Sequence, residues 1–229
     1  MNEHVILLHG LWMRGFTLVA LRHRLEQADF SVELFDYASV FRSPEISVDK
    51  LVRRVQETQG QRVHLVGHSL GGLIALQALQ RDPNLTRGRV VCLGSPLRGS
   101  ALARGVARLP GGSLVIGKSM EILRDGIRRW EGKQEVGVVA GRLPIGLGFA
   151  VGALSSPHDG TVSVAETELP GLTDHCVVPA THTGLLFSDE AAGQAIAFLR
   201  TAQFARSSAA QFSDDGPGRM RSGRTSDCA

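Results

Sequence analysis

Ser69 is the residue with the most chemical promise, because it lies in Gly67-His68-Ser69-Leu70-Gly71 between two regular segments. The apolar run Val63–Val66 before it reads as a buried strand, and Leu70–Gln80 after it has helical period. A serine at a sharp strand-to-helix turn has its Oγ exposed at the end of a sheet. The small residues Gly71, Gly72 and Ala75 let the helix pack closely. The Leu70 amide then opens a helix, where it is free to donate to a developing oxyanion.

A serine nucleophile needs a base, an acid and a second oxyanion donor. His182, in Pro179-Ala180-Thr181-His182-Thr183-Gly184, lies between a late strand and the last helix and is the expected base. Asp159, in Pro157-His158-Asp159-Gly160, is the expected acid and gives the chain order Ser, Asp, His. The second donor is expected from the Leu11 amide, in the turn after the strand His4–Leu8, with His9 fixing that turn by hydrogen bonds. His175, at a strand start, is the rival base, while Asp174 and Asp36 are rival acids. His158 reads as a loop residue, because it adjoins the acid.

These residues need a scaffold, and the hydrophobic pattern supplies one. Strands are expected at His4–Leu8, Ser31–Phe35, Arg62–Val66, Arg89–Leu93, Glu135–Ala140 and His175–Val178. Helices are expected at Phe16–Ala28, Ser47–Gln59, Leu70–Gln80 and Asp189–Thr201. Alternation of strands with helices implies a mostly parallel sheet covered on both faces, an α/β class. Two stretches break the rhythm. Residues 97–133 form a long excursion that reads as a cap or lid and carries an Arg-rich helical stretch, Gly117–Trp130. Residues 143–154 are apolar and glycine-rich without clear period. The domain is expected to span 1–204, with 205–229 a disordered polar tail.

Composition sets bounds. With 229 residues, 43% hydrophobic and 21% charged, the chain fits one globular domain with a sizeable core. The net charge of +3 is not gathered into a basic stripe with interleaved aromatics, so no nucleic-acid partner is expected. Arg124, Arg128 and Arg129 would permit contact with an anionic membrane surface, although a solvated helix face accounts for them better. Cys92, Cys176 and Cys228 show no paired metal-ligand spacing, so no metal site and no disulfide framework are expected. With neither a signal-peptide pattern nor a run of about 18 apolar residues, a cytoplasmic location is expected.

Taken together, His9-Gly10, Gly67-His68-Ser69-Leu70-Gly71-Gly72, Asp159-Gly160-x-Val162 and His182-Thr183-Gly184-Leu185-Leu186 resemble the α/β-hydrolase lipases and esterases. The resemblance spans roughly residues 4–200 and is nearest to small bacterial triacylglycerol lipases and to GPI inositol-deacylase-like esterases. Gly94-Ser95-Pro96-Leu97-Arg98-Gly99-Ser100 also resembles the lipase segment after the sixth strand. It implies an eight-stranded sheet or a reduced version, no cofactor, and hydrolysis of carboxylic esters on a small-molecule acyl ester or lipid. The same machinery would serve a thioesterase or an acyltransferase, and the fold also hosts non-catalytic binders of partners or hydrophobic ligands. Leu11, Trp12, Leu97, Ile145, Leu147 and Phe149 are expected around the mouth of the site.

Overall fold

The computed structural model describes residues 3–58, 62–146 and 154–206. Six strands form one sheet: β1 (Glu3–Leu8), β2 (Ser31–Phe35), β3 (Arg62–His68), β4 (Val90–Leu93), β5 (Val136–Gly141) and β6 (Asp174–Val178). Their spatial order is β2-β1-β3-β4-β5-β6, and every pairing is parallel. All six sequence-expected strands are present within a residue or two. The sheet is the reduced version, with six strands among the described residues.

The central strands are buried on both sides, which is why β1, β3, β4 and β5 read as continuous apolar runs. Alternate side chains feed two cores. On one face Ile6, Leu8, Leu65 and Val138 pack beneath α2 (Pro44–Glu57) and α3 (Leu70–Arg81). On the other, Leu7, Val66 and Val139 pack beneath α1 (Val19–Gln27) and α8 (Asp189–Thr201). The turn Gly15–Leu18 before α1 is a 3-10 helix, so the helical stretch expected from Phe16 divides in two. Helix α2 starts three residues before Ser47, because Pro44 has the fixed φ and missing N–H suited to a first helical position.

The chain leaves β1 toward one edge for β2, then returns across β1 and continues from β3 to the other edge. The carboxyl ends of β1 and β3 therefore flank the topological switch point, where open parallel sheets bind ligands. Residues Gly10–Leu11 and Ser69 lie at those two ends.

Between β4 and β5 the chain forms α4 (Ala101–Ala107), α5 (Gly112–Ile116) and α6 (Met120–Asp125). The single helix expected over Gly117–Trp130 is corrected to a 3-10 turn plus α6. The helix stops at Gly126, whose backbone packs against Gly99 and the Leu97 carbonyl. Trp130 beyond it is buried, with its Nε1–H donating to the Gln134 carbonyl at 3.0 Å. Before β6, α7 (Val164–Thr167) opens with a capping box of Ser163 and Glu166. The apolar stretch 147–153, the tail from 207 and Cys228 lie outside the described residues. No described helix is long and apolar enough to cross a membrane.

Candidate active site

Ser69 joins β3 to α3 with φ 55° and ψ −120°, a conformation that L-residues adopt only where the surroundings enforce it. The enforcement comes from close backbone approach. A Cβ on Gly67 would collide with the Gly72 nitrogen, and one on Gly71 would stand 2.5 Å from the Leu8 carbonyl oxygen. Only glycine fits on either side of the turn. The Ser69 N–H donates to the Leu93 carbonyl at 2.9 Å, anchoring the turn to β4. The next residue, Leu70, is first in α3, so its N–H has no acceptor within the helix.

His182 and Asp159 are brought together across the ends of β5 and β6. His182 Nδ1 lies 2.7 Å from Asp159 Oδ2, and Asp159 is 1% exposed. A buried carboxylate needs full hydrogen bonding. The other oxygen, Oδ1, accepts from the amides of Thr161 at 2.9 Å and Val162 at 2.7 Å. The His182 N–H donates back to the Asp159 carbonyl at 2.8 Å. Gly94 forms the floor of the pair: with φ +56°, a Cβ there would meet Asp159 Oδ2 at 3.1 Å and His182 Nδ1 at 3.2 Å.

The turn after β1 is built as its sequence implies. His9 is fully buried, stacked on Tyr37 at 4.3 Å between centroids, and its Nδ1–H donates to the Gly10 carbonyl at 2.9 Å. The Tyr37 hydroxyl donates to the His9 carbonyl at 2.6 Å. Burial lowers the basicity of His9 and raises the pKa of Tyr37, so both act as neutral hydrogen-bonding groups. A Cβ on Gly10 would stand 3.1 Å from Ser69 Cβ, so this turn passes directly over the Ser69 turn. Trp12, at φ 59°, is held by its Nε1–H donating to the Val115 carbonyl at 2.8 Å.

A cavity of about 350 Å³ joins these parts. Ser69, His182, Leu11 and Thr161 face it, and its far wall is Leu102, Ala103, Val106, Val115, Ile116 and Leu123, from α4, α5 and α6. The excursion 97–133 thus supplies most of the apolar wall. Of the expected mouth residues, Leu11 and Trp12 line the cavity. Leu97 does not, being wholly buried in the core, and Ile145 is 71% exposed outside the lining. Leu147 and Phe149 lie outside the described residues.

The rival residues are engaged elsewhere. Asp174 begins β6, at the opposite end of the sheet, where Oδ2 accepts from the Phe204 amide at 2.8 Å. His175 beside it contacts Thr167 Oγ1 at 2.8 Å. Asp36 accepts from the Gly15 amide and lies 3.1 Å from the His9 ring. His158 Nδ1 accepts from the Gly160 amide at 3.1 Å, inside the Asp159 loop.

Sequence reasoning assigned no role to His68. Its ring is fully buried, 4.7 Å from that of His182 between centroids, and its Nε2–H donates to the His182 carbonyl at 3.0 Å. Burial, with the His182 ring nearby, pushes its pKa down to about 3, so it is neutral. His68 thereby ties the Ser69 turn to the loop of His182. Its place inside the elbow motif was the only local signal.

Comparison with known proteins agrees with this architecture. The mature form of a Bacillus licheniformis lipase, BlEst2, superposes with a TM-score of 0.70 at 17% identity, over 87% of this chain and 91% of that one. A metagenomic carboxyl esterase, MGS0156, gives 0.63 at 17% identity, over 79% and 64%. The phospholipase PlaB of Legionella pneumophila gives 0.57 at 20% identity, over 73% of this chain and 46% of that one. A sequence search among curated proteins returned no match. A model described as "Alpha/beta hydrolase family" matches residues 5–209, nearly the whole described fold, and the chain belongs to that family.

Proposed function

We propose that the chain is a serine hydrolase that cleaves carboxylic esters through an acyl-enzyme on Ser69. The observation that carries this reading is the pairing of two structures on one cavity. One is a strained serine at a strand-to-helix turn; the other is a histidine whose Nδ1 is bonded to a buried carboxylate. The lipase and carboxyl esterase named among the structural neighbours favour an ester as the bond cleaved.

In this reading Asp159 accepts from Nδ1–H of His182, which leaves Nε2 unprotonated and able to take the Ser69 hydroxyl proton. Oγ attacks the ester carbonyl, and the amides of Leu11 and Leu70 donate to the oxyanion. Collapse of the tetrahedral adduct breaks the C–O bond, and His182 passes its proton to the departing alcohol. Water then attacks the acyl carbon as it gives a proton to His182, and the second adduct collapses by breaking the C–Oγ bond, so that the acid leaves and His182 returns the proton to Ser69 Oγ. The charge on imidazolium is stabilised each time by Asp159. The excursion 97–133 acts as the cap that walls the acyl-binding cavity, on the single domain 1–204.

The test is labelling by a fluorophosphonate, followed by p-nitrophenyl esters of increasing acyl length. Wild type is expected to label and turn over, and Ser69→Ala to do neither. Equal labelling of Ser69→Ala, or no labelling of wild type, overturns the reading. Thioesters and an added alcohol acceptor in the same assay distinguish a thioesterase or an acyltransferase.

A further inference from the structure

Glu166 does more than cap the helix it belongs to. In a capping box the third helical residue reaches back to the N-cap amide, which occupies one carboxylate oxygen. Glu166 Oε2 fills that place in α7, accepting from the Ser163 amide at 2.7 Å and from its Oγ–H at 3.0 Å. Oε1 serves a second element: it accepts from the amide of Ala101, the first residue of α4. The Glu166 carbonyl accepts from the Arg98 amide at 2.9 Å. A single residue, 8% exposed, therefore grips the excursion twice where it enters the cavity wall.

Two parts of the cavity meet through this carboxylate. Ser100, Leu102 and Ala103, on either side of Ala101, line the recess from α4, and Thr161 and Val162 line it from the Asp159 turn. Glu166 is outside the lining. The Asp159 turn has its own ties, the Asp159 amide to the Val162 carbonyl at 3.0 Å and the Val164 amide to the Pro157 carbonyl at 2.9 Å. The bonds of Ser100, by contrast, run to Leu123, Ala103 and Arg104 within the excursion. With seven residues, α4 has little stability of its own. We propose that Glu166 is a positioning residue that fastens the α4 wall to the Asp159 turn and thereby sets the acyl length the cavity accepts. This rests on the serine-hydrolase reading. Pulling either part away strips a hydrogen bond from a buried charge, so the wall keeps its place.

Glu166→Gln separates the two duties. Glutamine also serves in a capping box, and its one oxygen keeps both Ser163 bonds by staying there. Its NH2 then faces the Ala101 N–H, donor against donor, and the tie to α4 is lost. Ala101→Pro cuts the same tie from the other side. Proline suits a first helical position, and Ser100 before it is already extended, at φ −96° and ψ 119°. The experiment measures kcat and KM on p-nitrophenyl acetate through octanoate for wild type, both variants, their double, and Val55→Ala, a core change outside the cavity lining. Wild type is expected to favour the longer esters. Each tie variant should lower the octanoate-to-acetate ratio of kcat/KM by about four- to sixteen-fold, the worth of one or two buried methylenes, and should do so through KM. Acetate turnover and fluorophosphonate labelling should stay within about two-fold of wild type. The double should match the worse single variant, because both remove one bond. Either single variant decides the matter where the other does not fold. Val55→Ala should keep the wild-type ratio. A wild type without acyl preference, an unchanged ratio in the tie variants, or additive losses in the double overturns the proposal. So does the same drop in Val55→Ala, which would make the effect one of stability alone. No Ser69-dependent turnover of any ester would instead overturn the hydrolase reading, and the role of Glu166 with it.

Discussion

Replacing His68 by glutamine isolates one buried proton site. The wild-type ring is neutral because protonation would fall on Nδ1, which meets no hydrogen-bond partner among the described residues, inside a fully buried site beside His182. An unfolded chain returns this group to about 6.5. With the folded value depressed to about 3, the folded state refuses a proton that the unfolded state accepts. Stability from this group is therefore complete above about pH 6.5 and falls as pH drops toward 3, by about 1.4 kcal/mol per unit through most of that window. Between pH 7 and pH 5 the loss integrates to about 2 kcal/mol. Burial also lowers the basicity of His9, His64 and His175, which steepens the acid limb of both proteins equally. Glutamine cannot take the proton, yet its amide can donate to the His182 carbonyl. We expect His68→Gln to lower stability at pH 7 by about 1–3 kcal/mol, mainly through imperfect replacement of a buried, hydrogen-bonded ring. Urea unfolding at pH 7 and pH 5 gives the comparison. The gap between wild type and His68→Gln should narrow by about 2 kcal/mol at the lower pH. Parallel stability curves, with the same loss in both proteins, would refute the argument that His68 is held neutral by its burial.

Three further outcomes follow from the site's geometry. In Asp159→Asn, the Oδ1 that accepts from Thr161 and Val162 keeps the turn, which aims the NH2 at His182 Nδ1 and moves the imidazole proton to Nε2. Steady-state ester hydrolysis should then lose about ten-thousand-fold in kcat while circular dichroism and melting stay near wild type. Gly94→Ala places a methyl group against Leu185, Asp159 and His182, at 2.8, 3.1 and 3.2 Å, at a positive φ. A fall of about a hundred-fold in kcat, larger than any rise in KM, is expected from displacement of the base. Tyr37→Phe removes the donor to the His9 carbonyl and should cost about 1–3 kcal/mol in urea unfolding, with reduced kcat/KM because the Leu11 turn loosens.

What the sequence revealed about this site was whatever is encoded locally. The elbow was legible because glycines on both sides of a serine, between a strand and a helix, have one steric purpose, and the Cβ positions at Gly67 and Gly71 bear that purpose out. The strands were legible because parallel burial makes their apolar runs continuous. The cavity wall was not. Helices α4 and α5 have seven and five residues, too few for a periodic signal, and long-range contacts hold them. Glu166 Oε1 accepts from the Ala101 amide at the start of α4, 65 residues away, while its Oε2 accepts from the Ser163 amide. No pattern within residues 97–133 announces that carboxylate. Leu97 and Ile145 were misjudged for the same reason: apolar character says that a side chain prefers burial, not which of two compartments, core or cleft, receives it.

His182 shows how these long-range ties converge on a single side chain. Its N–H is bound to the Asp159 carbonyl, its carbonyl to His68, and its Nδ1 to the Asp159 carboxylate. Among the described residues this leaves Nε2 as the ring nitrogen without a protein partner, and it belongs to a side chain 13% exposed that faces the Ser69 cavity. A loop residue held at three points has little rotational freedom left to lose, so the ordering of the His182 ring is done by folding rather than by ligand binding. Burial serves the same arrangement at His68: a charged His68 would place a cation 4.7 Å from the His182 ring, and burial keeps His68 neutral.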